Sequence, residues 1–192
     1  TKKFSNGEMI VDGNIASTWE ISFNSGIGVW CYPNGSSAND AVYGKLYNGF
    51  VVIDSRGICP SGWHVATDED WKTLETFLGM NSTDIDSMFY NNRGESENVG
   101  GKLRTTAYWN APNTGATDEV GFSAVPSGDR RINNPPGVFY IGFGEGTAFW
   151  TSTVYSPFPN TIITRALGNT SSSISRFYDT KENGYSCRCL KD

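Results

Sequence analysis

The chain has 192 residues, of which 38% are hydrophobic, 14% aromatic and only 18% charged. A chain of this length can bury one sizeable core, so a single domain over residues 1–192 is predicted. The formal net charge of −5 argues against a nucleic-acid partner, because phosphate binding needs a clustered basic face. Few charges and 22 glycines are typical of a loop-rich extracellular domain.

The sequence contains no apolar run long enough to span a bilayer, so no transmembrane segment is predicted. It begins with Thr1 instead of Met and carries no signal-peptide pattern. We therefore expect a signal sequence upstream, and with it a lipid anchor or further domains.

Short strands are predicted for the first third of the chain. Residues 8–11 form a brief apolar run, and residues 19–23 alternate apolar and polar side chains as a half-buried strand does. Residues 49–53 are an apolar run that fits either a strand or a buried helical turn.

Two helices are predicted in the middle of the chain. The first covers residues 68–78, where Thr67 and Asp70 have the spacing of a capping box and Gly79 ends the helix. Its apolar stripe has helical spacing and consists of Trp71, Leu74 and Leu78. The second covers residues 83–90, with its apolar residues inward: Ile85, Met88 and Phe89.

The second half of the chain is predicted to be strands joined by glycine-rich turns. The six expected strands cover residues 121–126, 138–142, 148–155, 161–166, 173–178 and 185–190. Residues 169–173 separate two alternating runs and predict a hairpin tip. Residues 110–119 are expected to form a mobile loop.

Four cysteines occur, at Cys31, Cys59, Cys187 and Cys189. An even number in an extracellular context predicts disulfides. A metal site is the alternative, but the single residue between Cys187 and Cys189 is a tighter spacing than structural zinc uses. A bridge between these two neighbours is disfavoured by strand geometry, and the other pairings stay open.

Catalytic, metal and cofactor motifs are not predicted. His64 is the only histidine, and without a Gly-x-Ser-x-Gly turn it fits a structural role. The three acids at residues 68–70 fit helix capping better than a glycosidase pair. No calcium-binding loop occurs, and the glycines at 142–146 lie in a hairpin instead of a dinucleotide-binding turn.

Several motifs stand in a fixed order along the chain. They are residues 43–47, 59–71, 100–104, 121–128, 149–153 and 185–192, with Trp109 after the third. In this order they resemble the Fibrobacter succinogenes major paralogous domain, a family of secreted and surface proteins of Bacteroidetes-type bacteria. The resemblance starts near Trp30, which makes 30–192 the family core and 1–29 an N-terminal extension of strands.

The resemblance implies an α+β, C-type-lectin-like fold, in which two helices pack on twisted, mainly antiparallel sheets with long loops. This fold is shared with formylglycine-generating enzymes and with the variable proteins of diversity-generating retroelements. The final family motif carries a cysteine at the position of Cys189, which implies a Cys59–Cys189 bridge. We expect Cys31–Cys187 as an added clip.

In the retroelement relatives the region corresponding to residues 152–179 varies and binds ligand. Its Tyr, Ser, Asn and Thr content is typical of recognition surfaces, although ordinary polar strands look the same. The expected ligand-binding residues are Tyr155, Phe158, Asn160, Asn169, Ser171, Arg176 and Tyr178, with Trp109 as a further stacking platform. Counting from Trp150, side chains 152 and 154 should point inward, and 153 and 155 outward.

These patterns predict an extracellular or cell-surface bacterial binding or adhesion module without intrinsic catalysis. Its ligand would be a protein or a glycan, and no cofactor is expected. An enzyme acting on carbohydrate or on protein side chains, with acids around His64 or Trp109, is one alternative. A structural domain of a surface lipoprotein or fimbrial assembly is the other.

Overall fold

The structure, a computed structural model, describes residues 1–89, 92–133 and 137–192. It combines helices with sheets and consists mostly of strands. The helices are α1 Ala16–Ser25, α2 Asp40–Tyr43, α3 Gly49–Val52, α4 Asp68–Phe77 and α5 Val99–Leu103. The strands are β1 Val11–Asp12, β2 Val29–Cys31, β3 Leu46–Asn48, β4 Trp63–Val65, β5 Ser127–Asn133, β6 Gly137–Phe143, β7 Gly146–Val154, β8 Thr161–Gly168, β9 Ser175–Thr180, β10 Gly184–Cys187 and β11 Cys189–Lys191.

One large sheet organises the fold. Its strand order is β1-β2-β3-β10-β5-β7-β8-β9, with β6 paired to β5 and a further pairing between β10 and β7. Pairs β1–β2, β5–β7 and β7–β10 are parallel, and the other pairs of this sheet are antiparallel. A separate two-stranded sheet joins β11 to β4. Strand β10, the last strand of this sheet in chain order, therefore lies in its interior.

Residues 19–23 are helical, so the strand predicted there is wrong. They lie within α1, which buries Trp19 and leaves Ile21 and Phe23 exposed. The indole of Trp19 donates to the carbonyl of Glu182 at 2.9 Å, which fixes the helix against the loop before β10. Apolar residues on both sides of this helix produced the alternation that resembled a strand. The apolar run at 49–53 is the helical turn α3.

The first predicted helix is confirmed as α4. Thr67 accepts from the backbone N–H of Asp70, and the Asp70 carboxylate accepts from the backbone N–H of Thr67, which completes the capping box. Trp71 is buried, and the helix ends one residue before Leu78.

The second predicted helix, at residues 83–90, is absent from its described part, which forms turns. Arg93 donates to the carbonyls of Asp84 and Ile85, which a helix would need as its own acceptors. Phe89 is 59% exposed and does not point inward as expected. Tyr90 lies outside the described residues.

Most strands predicted in the second half are confirmed, with shifted ends. Strands β6 to β9 form where expected, residues 169–173 make the tip between β8 and β9, and the last predicted strand is split into β10 and β11. Residues 121–126 are not a strand. There only Ala124 bridges to Arg104, and β5 starts at Ser127.

The disulfide between Cys59 and Cys189 is present, with the two Cα atoms 5.7 Å apart, and it spans 130 residues. The expected clip between Cys31 and Cys187 is wrong, because both are free thiols. Cys31 lies on β2 and Cys187 on β10, and β3 pairs with both strands from opposite sides. Two strand spacings, roughly 10 Å, exceed the reach of a disulfide.

Candidate ligand-binding surface

Four aromatic side chains meet at the surface where β7 ends. The rings of Tyr155 and Tyr178 stack with centroids 4.3 Å apart and planes 10° apart. Phe158 lies 5.3 Å from Tyr178, and Phe89 meets Tyr178 edge-on at 5.0 Å. We call Phe89, Tyr155, Phe158 and Tyr178 the aromatic cluster. Three of these were predicted as ligand-binding residues, and the structure brings those three together.

Tight turns and strand pairing hold the aromatic cluster in place. The backbone N–H of Tyr155 donates to Thr161, and that of Phe158 donates to Tyr155, so this short turn presents both rings. Tyr178 stands on β9, paired with Ile163 of β8. Phe89 is attached by its N–H to the carbonyl of Arg176 at 2.9 Å.

The cluster is open to solvent. Phe158 is 52% exposed and Phe89 is 59% exposed, whereas the two tyrosines are partly buried. Their mutual stacking restricts the rings, so the cluster presents a fixed apolar surface with two phenol groups. Such a surface supplies apolar contact area together with the hydroxyl groups of Tyr155 and Tyr178.

The predicted alternation along β7 fails after Trp150. The register with β8 shifts between Trp150 and Val154, which marks a β-bulge or a similar irregularity. Thr151 is fully buried. Val154 was expected to point inward, but it is 38% exposed. Because a bulge inserts one residue, it turns the following side chains to the other face. The Ser152 hydroxyl donates to the Val65 carbonyl, and the Thr153 hydroxyl accepts from the backbone N–H of Asp68.

Arg176, expected on the ligand face, is buried and bonded to Asp68. Its Nε and Nη2 donate to the two carboxylate oxygens of Asp68 at 3.0 and 2.6 Å. Burial would raise the pKa of Asp68, but hydrogen bonds and charges from Arg176 and Arg165 outweigh it and lower the pKa to about 2. Arg176 is therefore engaged by Asp68 and is not exposed for a ligand.

A buried ion network continues behind Arg176. Glu75 and the guanidinium groups of Arg93 and Arg165 have no exposed side-chain surface. Arg165 Nε lies 2.7 Å from Glu75, and Arg165 Nη1 lies 2.8 Å from Asp68. Through Asp68, Glu75, Arg165 and Arg176, the network joins α4 to β8 and to β9, the strand that also carries Tyr178. Sequence reasoning missed it, since Asp68 was explained by helix capping alone.

The remaining predicted residues lie apart from the aromatic cluster, except for Asn160. Asn160 is exposed nearby, and its Nδ2 donates to Glu182 at 2.9 Å. Asn169 and Ser171 are at the opposite end of β8, roughly 23 Å away at about 3.3 Å per residue. Asn169 is buried and donates to the Asn110 carbonyl, and Ser171 donates to Glu95. The predicted site is therefore two separate regions.

Trp109 and the loop predicted to be mobile pack against this far end. The Trp109 indole donates to the Ala124 carbonyl at 3.0 Å, and Arg104 stacks 5.3 Å from its ring. Within the loop, Thr114 donates its N–H to Asn169, and Thr117 donates its N–H to Gly101. These bonds attach the loop to the hairpin tip and α5. Trp109 is partly buried and lies outside the aromatic cluster.

His64 has both ring nitrogens occupied. Nδ1 lies 2.6 Å from Asp192 and Nε2 lies 3.1 Å from Asp70. Hydrogen bonds to Asp192, and secondly to Asp70, raise the pKa of His64. The imidazole thus joins β4 to α4 and to the residue after β11.

A cavity of about 400 Å³ lies beside the disulfide, lined by Phe4, Tyr47 and Ile58 together with three cysteines. Burial raises the pKa of the free Cys187 to about 12, so its thiol stays protonated at neutral pH. Among the described residues, no three His, Cys, Asp or Glu side chains form a group that could hold a metal. None of the described helices is long and apolar enough to cross a membrane.

Comparison with known proteins gives one family. The model described as the Fibrobacter succinogenes major domain matches residues 2–191. The match also takes in residues 2–29, so the family domain is longer than the core expected at 30–192. No curated protein and no solved structure matches the chain. Since the family model spans nearly every residue, the chain belongs to the Fibrobacter succinogenes major domain family.

Proposed function

We propose that this protein is a secreted or cell-surface binding module that engages a protein ligand through the aromatic cluster. The observation that carries the proposal is the cluster itself, two stacked tyrosines flanked by two phenylalanines that are each more than half exposed. The proposed architecture is C-type-lectin-like, with the ligand face at the ends of β7 and β9.

Energetics favour recognition at this surface. Aromatic side chains that stay exposed do not give the stabilisation that their burial would give. Contiguous exposed apolar patches mark interaction sites. Aromatic anchors supply most of the free energy of many interfaces at little conformational cost, because they have few rotatable bonds. The stacked tyrosines are ordered before a ligand arrives, which lowers that cost further.

The surroundings favour a protein ligand over a glycan. A sugar offers many hydroxyls and needs several free polar partners, but three polar side chains beside the cluster are already bonded elsewhere, and the cluster itself offers only its two tyrosine hydroxyls. Asn160 is bonded to Glu182, Thr153 to the Asp68 backbone and Arg176 to Asp68. The free surface is largely ring carbon, which complements an apolar pocket or ridge on a protein.

Two other features support the location and the absence of catalysis. Disulfides persist in oxidising compartments, which is consistent with an extracellular protein. His64 is engaged by two carboxylates and Cys187 is held as a thiol, so neither group is poised for chemistry.

The test uses arrays of extracellular proteins and of glycans, probed with the labelled wild-type protein and with Phe158→Ala and Tyr178→Ala. We expect the wild-type protein to bind on the protein array and both variants to lose this binding. Phe77→Ala is the matched control, because Phe77 is 77% exposed on α4 and lies outside the aromatic cluster. Binding that survives both cluster changes, or binding confined to the glycan array, contradicts the proposal.

A further inference from the structure

A second surface feature lies between α4 and the C-terminal strand. It is a groove of about 310 Å³, which we call the β11 groove, and its lining is mainly apolar. The residues used here are Asp70, Trp71, Leu74, Phe122, Arg188 and Leu190. No residue of the aromatic cluster lines it, so an inference about this groove is independent of the proposed function.

The lining contains a buried donor without a partner. Trp71 is 2% exposed, and its Nε1 has no hydrogen-bond partner among the residues that the structure describes. Buried indole N–H groups are usually bonded, and leaving one unpaired costs free energy. Phe122 packs 5.4 Å from Trp71, which makes an aromatic wall beside this donor.

The mouth of the groove carries an unpaired cation. The Arg188 guanidinium stacks 4.3 Å over the Phe122 ring, and its Nη2 donates to the Phe122 carbonyl at 2.8 Å. Arg188 forms no ion pair within the described part of the chain. Asp70 also lines the groove, but its carboxylate is already bonded to Thr67 and His64.

We infer that the β11 groove binds a compact apolar carboxylate. Leu74, Phe122 and Leu190 would contact an apolar body, and Arg188 would take the carboxylate through a charge-assisted hydrogen bond. Trp71 lines the same groove, and its N–H, unpaired among the described residues, would gain a partner if the ligand or a bound water reached it. A volume of about 310 Å³ is at the small end of ligand pockets, which suits one ring with a short chain. An amine is disfavoured, because the free charge at the mouth is positive.

Nuclear magnetic resonance of the full chain tests this inference. Each of the six tryptophans has one indole N–H, and the signal of Trp71 is to be assigned through its packing with Leu74 and Phe122. Phenylpropanoate should shift the Trp71 signal in a saturable way. Phenylpropanol, which keeps the ring and lacks the charge, should bind roughly ten-fold more weakly or worse. Propanoate, which lacks the ring, should leave the signal unmoved.

Variants separate a specific contact with Arg188 from attraction by any nearby positive charge. Arg188→Met should weaken phenylpropanoate roughly ten-fold or more, and Arg188→Lys should recover part of the loss. Lys191→Met is the control, since Lys191 is an exposed cation on β11 outside the groove lining. A Trp71 signal unmoved by phenylpropanoate, equal affinity for the alcohol, or equal weakening in Lys191→Met would each overturn the inference.

Discussion

Tyr155 and Tyr178 stack with their rings nearly parallel, although Tyr155 follows β7, Tyr178 lies on β9, and no regular pairing joins β7 to β9. Each ring covers one face of the other and leaves its opposite face for other contacts. The pair therefore acts as one rigid unit at the centre of the aromatic cluster, and the two residues should be energetically coupled.

The coupling can be measured by a double-mutant cycle with Tyr155→Ala and Tyr178→Ala. Stacked aromatic pairs contribute about 0.5–1.5 kcal/mol beyond burial, so the double variant should be less destabilised than the sum of the single variants by that amount. Urea denaturation gives the free energies of unfolding. Strict additivity would show that the rings do not depend on each other.

Loss of the disulfide should destabilise the protein strongly. The bridge closes a loop of more than a hundred residues, which the chain-entropy model equates with about 4–5 kcal/mol. Cys59→Ser with Cys189→Ser should therefore lower the melting temperature by roughly ten degrees or more. Alkylation of the unfolded, unreduced wild type should label two cysteines. Labelling of all four, or an unchanged melt, would contradict the bridge.

Removing the charge of Glu75 should be costly. Glu75→Gln leaves Arg93 and Arg165 buried without their shared carboxylate, and breaking a buried ion pair typically costs about 3–5 kcal/mol. Glu69→Gln is the control, because the Glu69 side chain is 79% exposed and its pairing with Lys72 should contribute less than about 1 kcal/mol. Equal denaturation midpoints for the two variants would contradict a stabilising network.

His64 should make stability depend on pH in a predictable direction. The pKa of His64 is raised in the folded state. The stabilisation that the protonated ring gives is therefore fully present below the unfolded-state pKa, about 6.5, and is lost as the pH rises through the folded-state pKa. The melting temperature should therefore fall over that interval, and His64→Asn should flatten the fall. Proton resonance titration of the single histidine measures the folded pKa directly, and a value below about 6.5 would contradict the prediction.

Local signals in the sequence predicted the parts of the fold that short-range chemistry determines. The capping box of Thr67 and Asp70 lies within four consecutive residues, and the small polar residues 169–173 predicted the hairpin tip between β8 and β9. The family resemblance, and not spacing, singled out Cys59 and Cys189. Tyr155, Phe158 and Tyr178 were singled out because Tyr-rich polar strands are typical of binding surfaces, and the structure brings their rings together.

Long-range contacts determine the parts that were missed. From the sequence, Arg176 fits an outward-facing strand position. Only the fold brings Asp68, which lies 108 positions earlier, beside it. Phe89 joins the cluster through a backbone bond to Arg176, so no pattern around Phe89 could reveal it. The irregularity after Trp150 reversed the parity of Val154, and a single extra residue of this kind leaves no periodic signature.

The interior position of β10 has a consequence for how the protein is made. During synthesis β3, β5 and β7 exist before the strand that pairs with all three of them, so the sheet cannot close until residues 184–187 emerge. Folding of this kind depends on distant contacts and is intrinsically slow. The cysteine that closes the bridge follows two residues later, so an unfinished chain stays open and reduced. Oxidation can therefore seal the domain only after the last strand of the sheet is present.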